Sequence, residues 1–295
     1  MFGLPGKLAR VSLDRKALLE LPVEELRRRS RIPFELFADA GALLDHFADS
    51  IAAVVRESNQ RGEPARLILP VGPTKHYARL VEITNRERLS WKNVWSFQMD
   101  EFLDWQGRPI PSEHPLSFTG FLERELFGRI DPDLTVPPAQ RHAPNPFAPD
   151  AISEAIARVG GVDVCFGGVG YHGHIAFNEP PLSRWRPVSV EELRGSLTRV
   201  LPLGADSIVV QSIHCSGGDP ASIPPMAVTL GMRDILAARK IRLYLAAGER
   251  HRAIFRTTLA AEPSVFWPST LVQGHPDAVV YTTVDAARPI HPALA

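Results

Sequence analysis

The sequence predicts an α/β protein with a Rossmann-like three-layer fold, a mostly parallel central sheet flanked by helices. Three observations carry that expectation. Short apolar runs (RLILPVGP, NVWSFQMDEF, VDVCFGGVG, IRLYLAAG and DAVVYTT) recur along the chain at strand length. Segments with helical spacing separate them, so the units read as βαβ with right-handed crossovers. The 27 prolines gather in the connections, as parallel-sheet architecture allows. At 295 residues the chain could hold two average domains, but α/β folds of this size often form one, and no linker, repeat or low-complexity segment divides it. The expected organisation is an N-terminal helical extension over 1–33 and a single domain over 34–295.

In order, residues 12–30 (SLDRKALLELPVEELRRRS) read as short polar helices interrupted by Pro22. From 34 to 58, Leu43, Leu44, Phe47, Ile51, Val54 and Val55 fall at helical spacing and predict one amphipathic helix. RLILPVGP follows as a buried strand, then a helix over 74–85. NVWSFQMDEF predicts a second strand, with a helix near 115–129. The Pro-rich stretch 131–149 reads as loop. VDVCFGGVG predicts a third strand ending in glycines, and the stretch around SGGDPASIPP is again loop. IRLYLAAG and DAVVYTT complete the strands, with a helix over 249–261 between them.

Composition narrows the function classes. Lys+Arg and Asp+Glu are both 33, which argues against broad nucleic-acid or anionic-membrane binding. Two cysteines, Cys165 and Cys215, cannot build a disulfide framework. No apolar run approaches the ~18 residues of a spanning helix, and the N-terminus lacks the apolar core of a secretory signal. The expectation is a cytoplasmic protein with no nucleic-acid or membrane partner.

In open parallel sheets, ligands bind beyond the carboxyl ends of the strands. Three such ends carry unusual chemistry: PVGPT (70–74), MDEF (99–102) and GGVGYHGHIAFNEP (167–180). In the third, Gly167, Gly168, Gly170 and Gly173 allow a sharp turn and close approach to a ligand. This makes Gly170 and Gly173 candidate substrate contacts. His172 and His174 are candidate acid–base groups, with Glu179 able to fix a tautomer. A Gly-rich turn whose histidines merely cap backbone is the structural alternative. In MDEF, adjacent carboxylates point to opposite faces of a strand. Asp100 is the candidate general base, because the sheet walls would desolvate it; Glu101 is a candidate substrate contact.

MDEF, EHPLSF (113–118) and GVGYHGHIAFNEP, with the order of elements around them, resemble the glucosamine-6-phosphate deaminase/isomerase family, which shares its fold with 6-phosphogluconolactonases. The resemblance spans roughly 34–284. It implies conversion of an amino-sugar phosphate to a ketose phosphate with release of ammonia, a sugar phosphate as partner, and no redox cofactor or catalytic metal. It assigns ring opening to His174, oriented by Glu179, and the proton shift between C2 and C1 to Asp100. The family includes monomers and oligomers, so a homo-oligomer stays open.

The chain departs from that pattern in two places. His172 stands where the family carries Asp, so the local charge changes sign. The phosphate loop reads PVGPT, about two residues short, with Pro73 unable to donate; Gly72 and Thr74 remain contacts. The family's phosphate cations fall on His214 and His251, with Arg252 one residue beyond; Arg184 and Arg186 are candidate replacements, or simply a solvated basic loop. Beside the strict deaminase stands a divergent isomerase or lactonase-type hydrolase acting on another sugar phosphate, and with it two further readings. One is metal-assisted hydrolysis through His172, His174, Glu179 and Asp100. The other is a sugar-phosphate sensor, against which the short segment before residue 34 argues.

Overall fold

The computed structural model describes residues 14–183 and 185–290. Two short helices, α1 (Arg15–Glu20) and α2 (Val23–Arg29), flank Pro22. They lie against the domain: Leu18, Leu21, Leu26 and Ile32 join the main apolar core. Fully buried Arg256 donates through Nη2 to the Leu21 and Ala287 carbonyls.

The first correction follows at once. Residues 34–58 are not one helix: Phe34–Phe37 is an edge strand, β1, and the helix α3 is Ala40–Arg61. Asp39 sets the boundary, since its side chain accepts from Ala42 N at 2.9 Å and caps α3. Gly62, at φ 67°, ends the helix in a left-handed turn that a side chain would strain. Leu43, Phe47, Ile51 and Val55 form its buried stripe. Each such side chain contributes roughly 1.5–3 kcal/mol by burial.

After α3 come β2 (Ala65–Leu69), α4 (His76–Arg86) and β3 (Val94–Gln98). The run NVWSFQMDEF is not one strand. It breaks at Met99, and β4 (Asp100–Leu103) belongs to another sheet. Met99 is the seam: its N–H donates to Leu69 O in the large sheet, and its carbonyl accepts from Leu230 N in the small one. The helix expected near 115–129 is α5 (Phe118–Leu122) followed by a π-helical turn, Glu123–Phe127. The 131–149 loop contains a two-residue strand, β5 (Arg141–His142).

Next are α6 (Asp150–Arg158) and β6 (Val164–Gly168), then α7 (Val190–Arg194), β7 (Arg199–Pro202) and α8 (Ala205–Cys215). The chain closes with β8 (Met226–Thr229), α9 (Met232–Leu236), β9 (Lys240–Leu245), α10 (Arg252–Ala260) and β10 (Ala278–Thr283). The central sheet has seven strands in the order β1-β10-β9-β6-β2-β3-β5, every pairing parallel. A second sheet, β4-β8-β7, is antiparallel. Large apolar clusters cover the central sheet, and a smaller one under the second sheet contains Phe102, Phe177 and Leu203.

Candidate active site

β2, β3 and β6 are neighbours in the central sheet, so their carboxyl ends bring together PVGPT, MDEF and the glycine-rich loop. A Cβ on Gly168 would stand 2.7 Å from the Gly72 carbonyl oxygen, and one on Gly167 would stand 3.0 Å from Met99 Cε. Gly168 is therefore needed for the close approach of the two loop backbones, whereas at Gly167 the Met99 side chain could give way. The PVGPT turn is anchored from α4. His76 Nδ1 donates to Pro73 O at 2.6 Å, and the Tyr77 hydroxyl donates to Pro70 O. Gly72 and Thr74 stay exposed above these anchors.

The small sheet fixes Asp100 against the loop. Asp100 pairs with Thr229, whose hydroxyl accepts from Phe177 N at 3.0 Å. Asn178 Nδ2 donates to Leu230 O at 2.8 Å, and Asn178 Oδ1 accepts from Arg199 Nη1 at 2.9 Å. Asp100 is 7% exposed. Burial, with the Glu101 charge beside it, pushes its carboxyl up to about 8. The Glu101 carboxylate, expected as a substrate contact, is occupied within the protein. Oε1 accepts from Phe102 N and Phe118 N, and Oε2 from Ser117 Oγ and Thr119 N. It clamps the start of α5.

His174 is buried. Burial, followed by the charge of His172, lowers its pKa to about 4, so the ring is neutral at physiological pH. Its ring lies against Gly170, where a Cβ would fall 1.8 Å from Nε2. Gly170 thus makes room for His174 instead of simply exposing backbone. Gly173, at φ 67°, donates to Gly170 O and accepts from Ser269 N. No hydrogen bond joins Glu179 to His174. Glu179 Oε2 accepts from Gly204 N at 2.7 Å, while Glu179 Oε1 and His174 Nδ1 are both buried without a partner among the described residues. Two orphaned polar atoms on this glycine-rich loop are free to bond a ligand's polar groups.

His172 is only partly buried and donates from Nε2 to Asp206 Oδ2 at 2.7 Å. The expected phosphate cations are rearranged. Arg252 is engaged, donating through Nη2 to Asp285 Oδ1 at 2.8 Å and through Nε to Asp285 O. His251 accepts from Ala247 N through Nδ1, and burial lowers its pKa to about 4. His214, on the last turn of α8, accepts from Arg250 Nη1 at 2.5 Å. Sequence reasoning passed over Arg250 and Asp206. Arg250 was legible as the cation on the other side of His251, whereas Asp206 carried no sequence signal. Arg186 pairs with Glu192 at 2.7 Å, and Arg184 lies outside the described residues. Among the described residues no group of three or more His, Cys, Asp or Glu could hold a metal ion, and no helix is long and apolar enough to cross a membrane.

No family model matches the chain. Among curated proteins, it is 30% identical over 242 residues to glucosamine-6-phosphate deaminase of Parabacteroides distasonis, covering 79% of this chain and 82% of that one. It is 32% identical over 254 residues to the enzyme of that name from Hahella chejuensis, covering 81% and 89%. Among solved structures, a monomeric glucosamine-6-phosphate deaminase superposes with TM-score 0.73 at 24% identity, covering 87% of this chain and 99% of that one. A 6-phosphogluconolactonase from Shewanella baltica gives 0.59 at 20% identity, covering 86% and 98%. These structures share the fold, an α/β architecture around a parallel sheet. The sequence relationship goes further: the chain belongs to the glucosamine-6-phosphate deaminase family.

Proposed function

We propose that the chain is a deaminating aldose–ketose isomerase acting on glucosamine 6-phosphate, releasing ammonia and a ketose phosphate. What carries this reading is a buried, proton-avid carboxyl, Asp100, just after β3 and a neutral buried imidazole, His174, on the loop after β6, two strands that end on the same side of one parallel sheet. A neutral His174 takes the proton of the anomeric hydroxyl and returns it to the ring oxygen as the sugar opens. Asp100, once ionised, removes the C2 proton and delivers it to C1 through an enol-like intermediate. Water then replaces nitrogen at C2, so ammonia leaves and a ketone remains. A carboxyl with pKa near 8 suits this work, because a base near the operating pH both accepts and returns the proton. Arg250 with His214, and the exposed backbone of Gly72 and Thr74, supply the contacts for the substrate's phosphate.

One observation favours a related sugar phosphate as a second reading: an imidazole, His172, occupies the loop position beside the acid–base pair. The deciding experiment measures ammonia and ketose phosphate from glucosamine 6-phosphate, alongside a panel of other aldose phosphates. Ammonia release lost in Asp100→Asn supports the deaminase. Turnover of a panel sugar alone moves the assignment to an isomerase without deamination.

A further inference from the structure

The first turn of α8 reaches the catalytic loop twice. Gly204 N–H, at the helix cap, donates to Glu179 Oε2, and Asp206 accepts from His172 Nε2. The second contact differs from the many surface ion pairs of this protein. Its imidazole side chain is 31% exposed, it sits two residues from buried His174, and its charge is felt there. The Tyr171 ring stands edge-on to it, with centroids 5.0 Å apart at 76°. The His172 ring is thus held at one nitrogen by a carboxylate and on another side by an aromatic ring.

We propose that Asp206 and His172 form a positioning pair, in which a carboxylate on α8 acts through the His172 imidazole on the proton transfer at His174. A carboxylate bonded to Nε2 fixes the tautomer and leaves Nδ1 with the lone pair when the ring is neutral. It also offsets the imidazolium charge that otherwise opposes protonation of His174. Because the same helix turn holds Glu179, the pair registers α8 against the whole 170–179 loop. Asp206 never needs to touch the substrate. The assay for this role rests on the proposed function, and the controls keep the two apart.

Wild-type turnover of glucosamine 6-phosphate decides the proposed function by itself; the cycle below uses whichever sugar phosphate the wild type converts. In the full chain, Asp206→Asn should lower kcat about tenfold, the scale of one hydrogen bond to a charged group, with KM within about twofold. In a His172→Ala background the same substitution should have no further effect on kcat. A mere tether between α8 and the loop predicts a raised KM and an effect that persists without the imidazole. A kcat within twofold of wild type, or equal losses with and without His172, overturns the proposal. Ring ¹⁵N spectra give a readout that needs no substrate. The Nε2–H signal of His172 should be present in the wild type and lost in Asp206→Asn, and an unchanged spectrum also overturns the proposal. The Asp206 side chain is 60% exposed, so its replacement leaves the fold intact.

Discussion

Replacing Asp100 by Asn should abolish turnover and stabilise the protein in the same stroke. The carboxyl holds its proton up to about 8 in the folded chain, whereas an unfolded chain loses it near 3.9. Between those values the native state binds a proton that the unfolded state has released, so stability falls as pH rises, by about 1.4 kcal/mol per pH unit. At pH 7 the accumulated cost reaches about 4 kcal/mol as an upper limit, and above pH 8 it levels off. Asn has the same shape and does not titrate, so the cost disappears. At roughly 2 °C per kcal/mol for a domain of this size, Tm should rise by several degrees near pH 7 and by almost nothing near pH 4. Turnover should fall by ~10²–10⁴-fold. Thermal unfolding of both proteins across that pH range, with ammonia release measured on the same samples, tests both halves. Parallel pH–Tm curves would refute the buried-carboxyl argument. Activity within twofold of wild type would remove Asp100 from the chemistry.

Glu101→Gln should shift the rising limb of kcat/KM toward lower pH, because the Glu101 charge is the second cause holding the Asp100 proton. The same variant should lose about 1–2 kcal/mol from the clamped start of α5, read by denaturant unfolding. Gly170→Ala places a methyl 1.8 Å from His174 Nε2, so the ring must leave its position. We expect kcat to fall at least ~10²-fold, while circular dichroism shows a folded chain. Arg250→Gln should raise KM for the phosphorylated substrate about tenfold with kcat little changed, as a steady-state titration would show.

Strands β2, β6 and β9 were legible as apolar runs closed by glycine or proline, and β3 and β10 as apolar runs of strand length. The catalytic loop was legible because its residue types recur as a motif. What escaped is informative. Phe34–Phe37 carries apolar residues that also fit the period of the helix behind it, and only the Asp39 cap separates the two. The Met99 break is invisible in sequence, since VWSFQMDEF is continuous as a pattern. The break exists because Leu69 and Leu230, far apart in the chain, take the two sides of one residue's backbone, its N–H and its carbonyl. Short β7 and β8 lack apolar runs long enough to notice, so the small sheet was missed entirely. At the site, residues within one motif were found, whereas Asp206 and Arg250 reach it from other elements. A spatial neighbour with no spacing rule leaves no trace in a single sequence.

The surroundings of the two carboxylates favour Asp100 as the proposed base. Both carboxylates are almost equally buried, at 7% and 4%. They differ in partners. Glu101 accepts from the N–H of Phe102 beside it and, at the start of α5, from two N–H groups and the Ser117 hydroxyl. Asp100, one residue earlier on the strand, faces the other way and lacks that cradle. Burial and the neighbouring Glu101 charge together hold the proton on Asp100. A helix cap thereby sets the basicity of the residue beside it, and the α5 contact becomes part of the chemistry. Ser117→Ala tests this coupling away from the reacting atoms. It removes one donor from Glu101 and, with Asp100 intact, should move the kcat/KM limb by a fraction of the shift seen in Glu101→Gln and in the same direction. A limb that stays at the wild-type pH in both variants would mean that burial alone tunes Asp100.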